Sequence, residues 1–259
     1  MMSPYVSSSE IQQLLEDNQL ADFEQLWALD TPWFEAPNYR RNGWSGVVKY
    51  ALQNKQGETV WVFIKRQQNH NYKTLMHPLR GIPTFRREFN NIAQLNKRQI
   101  PTLSTLYYAE REHENNQQAI LITLSLEGYQ SLEHFCQDDA HKTHPQRQAI
   151  MQLAGQVTRK MHDARFRHNC LYPKHFFLKI NHSDIDIRLI DLEKLKWLPL
   201  YQQIRRNDLS RIVRRGQPMT YSDIKILLNS YYQSGKTDLS NSVLAVHLNQ
   251  LLDSQQHYQ

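Results

Sequence analysis

Residues 161–193, MHDARFRHNCLYPKHFFLKINHSDIDIRLIDLE, decide the fold. They spell the end of a helix, a tight polar loop, a hairpin, and an acid directly behind the hairpin. Residues 176–180 and 185–190 are short runs rich in aromatic and β-branched side chains, and Asn181, His182, Ser183 and Asp184 between them supply turn chemistry. A hairpin brings the residue before its first strand and the residue after its second to one end, roughly 5 Å apart where they pair directly. His175 and Asp191 are therefore expected to face each other, with the loop 168–174 beside them.

The surrounding chain changes period on either side of this stretch. Residues 148–164 carry Ile150, Leu153, Ala154, Val157 and Met161 at helical spacing, a core stripe. Further helices are expected over 200–215, 221–233 and 239–252, the second with Ile224, Leu227, Leu228 and Tyr231 facing inward. Upstream the pattern is that of strands. Residues 47–53, a turn at 54–57 and residues 58–67 form a hairpin whose second strand carries Lys65. Gly43 and Gly46 lie in the turn before it, where backbone can approach closely. Residues 84–99 are helical, with Phe85, Phe89, Ile92 and Leu95 on the apolar face and Glu88 beside it. Residues 103–109 and 119–126 complete a mostly antiparallel sheet, expected to have five strands. Lys65 and Glu88 are its candidate internal ion pair. Residues 9–20 form a helix capped by Ser9, followed by an aromatic stretch broken by Pro32 and Pro37. The expected division is an extension over 1–36, a β-rich lobe over 37–126 and a helical lobe over 127–259, an α+β protein.

With 259 residues and 40% hydrophobic content the chain can bury a sizeable core. Its longest apolar runs, such as 119–124, fall far short of the ~20 residues that span a bilayer. The N-terminus has neither a basic start nor a continuous apolar stretch, so no secretory signal is expected and cytoplasmic residence is the default. Two cysteines, Cys136 and Cys170, fit a reducing compartment. A net charge of +6 favours acidic partners: phosphates, anionic lipid or nucleic acid.

Strand lysine, helix glutamate, polar loop, hairpin and acid occur in the order of parts found in protein-kinase-like phosphotransferases. The loop HNCLYPKH at 168–175 is similar to the kinase catalytic loop HRDLKPEN through His168, Leu171 and Pro173, and IDLEK at 190–194 stands where the metal-binding DFG segment belongs. From about Pro37 to Tyr232 the chain resembles the lipopolysaccharide kinase (Kdo/WaaP) family; PNYRRNGWSGVV and HPLRGIPTFRREF are InaA-like. The resemblance implies a two-lobed protein-kinase-like fold, with a small antiparallel β lobe holding one helix and a larger helical lobe. It implies ATP and Mg²⁺ as cofactors. Lys65 would neutralise nucleotide phosphates, Glu88 would hold Lys65, and Gly43 and Gly46 would let backbone drape over the phosphates. Asp191 would ligate Mg²⁺, and Asp208 would tie down the catalytic loop. The implied acceptor is a heptose or Kdo hydroxyl of the lipopolysaccharide core, reached by peripheral contact with the inner membrane, with no nucleic acid expected.

The chain departs from the family pattern twice. Cys170 stands where the catalytic aspartate would accept the substrate proton, and His175 stands where an asparagine would bind a second Mg²⁺; WaaP-type relatives share that histidine but keep the aspartate. A thiol of pKa near 8.5 is a poor general base beside a carboxylate. The resemblance therefore leaves two readings open, a kinase or a pseudokinase with a binding or stress-regulatory role. Imidazole is a weak Mg²⁺ ligand, so His175 is expected on a phosphate or on Asp191. Cys170, His168, His175 and Asp191 make up the candidate catalytic set; Asp163 and His168 are candidate substitutes for the missing base, and the kinase counterpart of His168 is structural. His168, Cys170 and His175 as zinc ligands lack a fourth ligand. Arg205, Arg206, Arg211, Arg214 and Arg215 form a basic group that suits either a solvated helix face or contact with an acidic glycolipid.

Overall fold

The structure, a computed structural model, describes residues 3–40, 43–182, 184–199 and 201–233 together with Val246, Gln250 and Asp253; the side chains of residues 201–203 and 205 are outside the description. The helix expected over 239–252 lies almost wholly outside the described residues. The chain packs as two units, Met1–Ala93 with Leu103–Glu127, and Gln94–Thr102 with Gly128–Gln259.

Unit 1 contains β1 (Tyr5–Val6), α1 (Ser9–Asp17), α2 (Phe23–Ala28), β2 (Glu35–Arg40), β3 (Gly43–Gln53), β4 (Thr59–Gln68), β5 (Asn71–Tyr72), β6 (Ile82–Pro83), most of α3 (Thr84–Lys97), β7 (Thr105–His113) and β8 (Asn116–Leu124). Its main sheet has six strands in the order β1-β7-β8-β4-β3-β2, one more than expected. The strand pattern of the sequence defines neither β1 nor β2, and β1 pairs only Tyr5 with Tyr108 and Val6 with Tyr107, too short a run to show a period of two. The cap of α1 is Ser8 rather than Ser9: its hydroxyl accepts from the Ile11 N–H at 3.3 Å. Leu14, Leu15 and Leu26 from the two N-terminal helices pack with Val48, Leu52 and Ile64 of the sheet. The first 36 residues thus contribute to the core of unit 1. The β3–β4 turn is closed by Asn54, whose Oδ1 accepts from the N–H groups of Gln56 (3.0 Å) and Glu58 (2.8 Å), with Gly57 at φ 78°.

Unit 2 contains β9 (Gln130–Ser131), α4 (Leu132–Gln137), α5 (Arg147–Asp163), β10 (Phe166–Arg167), β11 (Phe176–Asn181), β12 (Asp184–Leu189), β13 (Lys196–Trp197), α6 (Tyr201–Arg214) and α7 (Tyr221–Gln233). The hairpin β11–β12 pairs Phe176 with Leu189 through to Asn181 with Asp184, and β9 adds a third strand. Its alternate residues Phe176, Leu178, Ile187 and Leu189 are buried, as a period of two demands of a one-sided sheet. Leu189 is also held from behind: its N–H donates to the Pro101 carbonyl (3.0 Å) and its carbonyl accepts from Thr102 Oγ1 (2.7 Å). α5 and α7 are joined at one end by a buried two-point pair, Arg147 Nε to Asp223 Oδ1 at 2.9 Å and Nη2 to Oδ2 at 2.7 Å. Among the described residues no helix is long and apolar enough to cross a membrane.

Candidate functional site

The mouth of the hairpin sets the geometry of unit 2. The Ile190 N–H donates to the His175 carbonyl at 3.0 Å, closing β11 against the end of β12. The next side chain is Asp191, and its Oδ2 lies 3.3 Å from His175 Nε2, as the hairpin reading required. Asp191 sits in the left-handed region at φ 57°, ψ 57°, at the head of a single 3₁₀ turn, Leu192–Lys194. A non-glycine residue held there carries local strain, which is common at functional positions. His175 is buried, and its Nδ1 donates to the Cys170 carbonyl. Burial lowers the His175 pKa, against the opposing pull of the Cys170 carbonyl and the Asp191 charge. In the neutral ring with its proton on Nδ1, Nε2 presents a lone pair to the Asp191 carboxylate. Two acceptors face each other there, an arrangement that a cation would relieve.

Among the described residues, no three His, Cys, Asp or Glu side chains converge as a protein cage for a metal would require. The zinc arrangement finds no support here: His168 Nε2 is engaged with the Ile190 carbonyl and His175 Nδ1 with that of Cys170. Mg²⁺ makes a different demand, taking one or two carboxylates and completing its shell with water and phosphate oxygens. Asp191, 43% exposed, fits that demand.

Behind the loop lies Asp208, with no exposed surface. It accepts from the His168 N–H at 2.6 Å and the Asn169 N–H at 2.9 Å, and His162 Nε2 is 3.3 Å away. His162 Nδ1 in turn meets the Tyr231 hydroxyl at 3.0 Å. Burial alone would raise the Asp208 carboxyl, but His162, His168 and the loop N–H bond outweigh it and hold the group below the ordinary carboxylate range. His168 is also fully buried, its pKa lowered by burial, and its Nε2 meets the Ile190 carbonyl at 2.9 Å. It holds the loop to the segment that carries Asp191. With no surface open to solvent it cannot meet a substrate hydroxyl, so its place in the catalytic set and as a substitute base is corrected to a structural one. Asp163 is engaged by Arg159 Nε at 2.8 Å.

In unit 1, Lys65 on β4 meets Glu88 on α3, Nζ to Oε1, at 2.6 Å. Glu88 is buried on the face of α3 next to Phe85. Gly43 and Gly46 do not form an open turn: both lie inside β3, which begins four residues earlier than the apolar run suggests. A Cβ on Gly43 would stand 2.4 Å from the Asn69 carbonyl carbon, and one on Gly46 would stand 2.6 Å from the Trp33 ring. Close packing accounts for the lack of a side chain at both positions.

Cys170 is a free thiol with intermediate exposure. His162 escaped the sequence reading, because one histidine in the last turn of an apolar helix carries no distinguishing signal. Arg167 and Tyr172 escaped it too. They join Arg206, Arg211, Arg214 and Arg215 around one cavity, an association that no spacing in the chain reveals.

The profile of the lipopolysaccharide kinase (Kdo/WaaP) family matches residues 24–231. The chain is 25% identical over 213 residues to "Protein InaA" of Escherichia coli (strain K12), covering 82% of this chain and 95% of that protein. A solved structure titled "WaaP in complex with acyl carrier protein" superposes with a TM-score of 0.67 at 19% identity, covering 98% of this chain and 99% of that one. The fold is thereby shown to be protein-kinase-like.

Proposed function

The chain belongs to the lipopolysaccharide kinase (Kdo/WaaP) family, and from that premise we propose that it transfers phosphate from ATP, with Mg²⁺, to a heptose or Kdo hydroxyl of the lipopolysaccharide core. The observation that carries this reading is the Lys65–Glu88 pair at 2.6 Å, a cation on a central strand kept in place by a buried carboxylate. In unit 1 Lys65 takes the nucleotide phosphates, oriented by Glu88. In unit 2 Asp191 supplies the metal ligand, and Asp208 fixes the loop 168–170 through two backbone N–H groups. Mg²⁺ when bound neutralises phosphate charge, the main electrostatic requirement of phosphoryl transfer. His175, its proton pinned on Nδ1, turns the Nε2 lone pair toward the Asp191 carboxylate, so both groups favour a cation at that place. Purified protein with ATP, Mg²⁺ and dephosphorylated core glycolipid is expected to form phosphorylated product, and Asp191→Ala is expected to stop it. Absence of transfer to every core acceptor offered sinks the enzymatic reading.

Cys170 favours a second reading, a pseudokinase that binds nucleotide without transfer. General-base help is worth about 10² to 10⁴-fold. Cys170→Asp is then expected to create activity, or to raise a slow one by about that factor, as read in the same assay. A wild-type rate within the ordinary kinase range of about 1–100 s⁻¹ excludes this second reading.

Peripheral contact with the inner membrane is supported by Leu75, Met76 and Leu79, fully or nearly fully exposed in one loop of unit 1. Leu75→Ser/Leu79→Ser is expected to reduce cosedimentation with anionic vesicles; unchanged cosedimentation removes the loop from that role.

A further inference from the structure

One face of α6 is strongly cationic, and among the described residues its arginines meet a single acid, Asp208. Asn207, Ser210, Arg211 and Arg214 fall on it at helical spacing, Arg206 and Arg215 flank it, and Arg167 and Tyr172 form the rest of the lining. Together they line a cavity of about 700 Å³ that holds five arginines and, among the described residues, no carboxylate. Arg215 follows the last residue of α6, so it stands close to Arg211 and Arg214, where like charges repel. The nearest acid is Asp208, at 3.5 Å from Arg211 Nη1, and its oxygens already serve the His168 and Asn169 N–H groups. Arg167 Nε is buried without a hydrogen-bond partner among the described residues, a costly state for a donor.

Helix electrostatics explain part of this. Arg211 and Arg214 stand in the last turn of α6, where cations suit the helix dipole. That accounts for neither Arg206, a turn and a half earlier, nor the orphaned donor of Arg167 on the other wall.

We infer that the cavity binds a phosphorylated saccharide. Planar guanidinium groups suit phosphate oxygens better than any other side chain does. The volume is that of a site for a small organic ligand and exceeds what a lone ion needs. Asn207 and Ser210 offer hydrogen bonds to hydroxyls, and the Tyr172 ring offers an apolar wall. Arg167 and Tyr172 flank His168 and Cys170 in the chain, which places the cavity beside the loop assigned to the acceptor. The inference rests on that assignment and extends it: the acceptor carries a phosphate of its own, and the arginines hold it.

The test is calorimetric binding to the full chain of three probes: fructose 1,6-bisphosphate, inorganic phosphate, and phosphatidylglycerol vesicles. Wild type is compared with Arg206→Gln/Arg214→Gln, both exposed positions, and with Lys55→Gln in unit 1 as a charge control. The sugar bisphosphate is expected to bind saturably and to lose on the order of 100-fold in affinity in the double variant, about tenfold for each charge-assisted contact. The control is expected to bind like wild type. Equal binding by the double variant overturns the inference. So does inorganic phosphate binding as tightly as the sugar bisphosphate, or arginine-dependent binding confined to vesicles. Thermal shift with ATP and Mg²⁺ is read on the same samples: a nucleotide response without sugar-phosphate binding defeats this inference alone. Sugar-phosphate binding without a nucleotide response defeats the kinase reading alone.

Discussion

Asp191 and Asp208 are two aspartates of unit 2 in opposite surroundings. Asp208 is wholly buried, and its two oxygens are divided among two loop N–H groups and an imidazole. Asp191 is 43% exposed, stands in the left-handed region, and faces the lone pair of His175. The first carboxylate is fully satisfied by protein and therefore acts as a fastener. The second is left incomplete by protein and is therefore available to something else. Charge and residue type are the same in both; the supply of donors decides which acid is tied into the structure and which keeps acceptor capacity open to solvent.

Removing each acid separates the two roles. Asp191→Ala is expected to cost transfer at least on the order of 10²–10³-fold, as loss of a key electrostatic group does, while unfolding free energy changes by less than about 1 kcal/mol. Chemical denaturation and the transfer assay on one preparation check both halves; a large loss of stability breaks the comparison from the Asp191 side. Asp208→Ala is expected to destabilise by about 3–5 kcal/mol, because the His168 and Asn169 N–H groups and His162 lose their buried acceptor together. A denaturation midpoint close to wild type breaks it from the other side.

The smallest effect is in pH. His168 binds its proton more weakly in the folded state than in the unfolded chain, so acidification below its unfolded value of 6.5 favours unfolding. Asp208, also lowered in the folded state, contributes stability that is present above 3.8 and lost as pH falls further. Tm is expected to decline in two stages, starting below pH 6.5 and again below 3.8, with the first stage reduced in His168→Gln, His175 keeping its share, and the second reduced in Asp208→Asn, Asp223 keeping its share. Profiles identical to wild type would show that neither buried group is linked to folding.

Much of this arrangement was legible before any coordinates. The hairpin followed from two β-branched runs around a turn, and the facing of His175 and Asp191 followed from the hairpin. The pairing of Lys65 with Glu88 needed only a strand, a helix face and their order. α7 occupies the residues its apolar spacing required, Tyr221–Gln233. These readings share a cause: each depends on a period of two or of 3.6 along a short stretch of chain.

Other features depend on residues distant in sequence, and local periodicity is silent about them. Gly43 and Gly46 look like a turn until Asn69 and Trp33 are seen to occupy the space their side chains would fill. His168 looks available for chemistry until burial removes its access, and His162 has no visible purpose until Asp208 arrives from α6, 46 residues on. The arginine cavity draws Arg167 and Tyr172 together with a helix more than thirty residues downstream. Local periodicity was enough for the long elements, their order and the acid at the hairpin mouth. Tertiary structure alone decided which polar groups are sealed, which are satisfied and which are left to bind, because burial and hydrogen-bond supply are set by what packs from elsewhere in the chain.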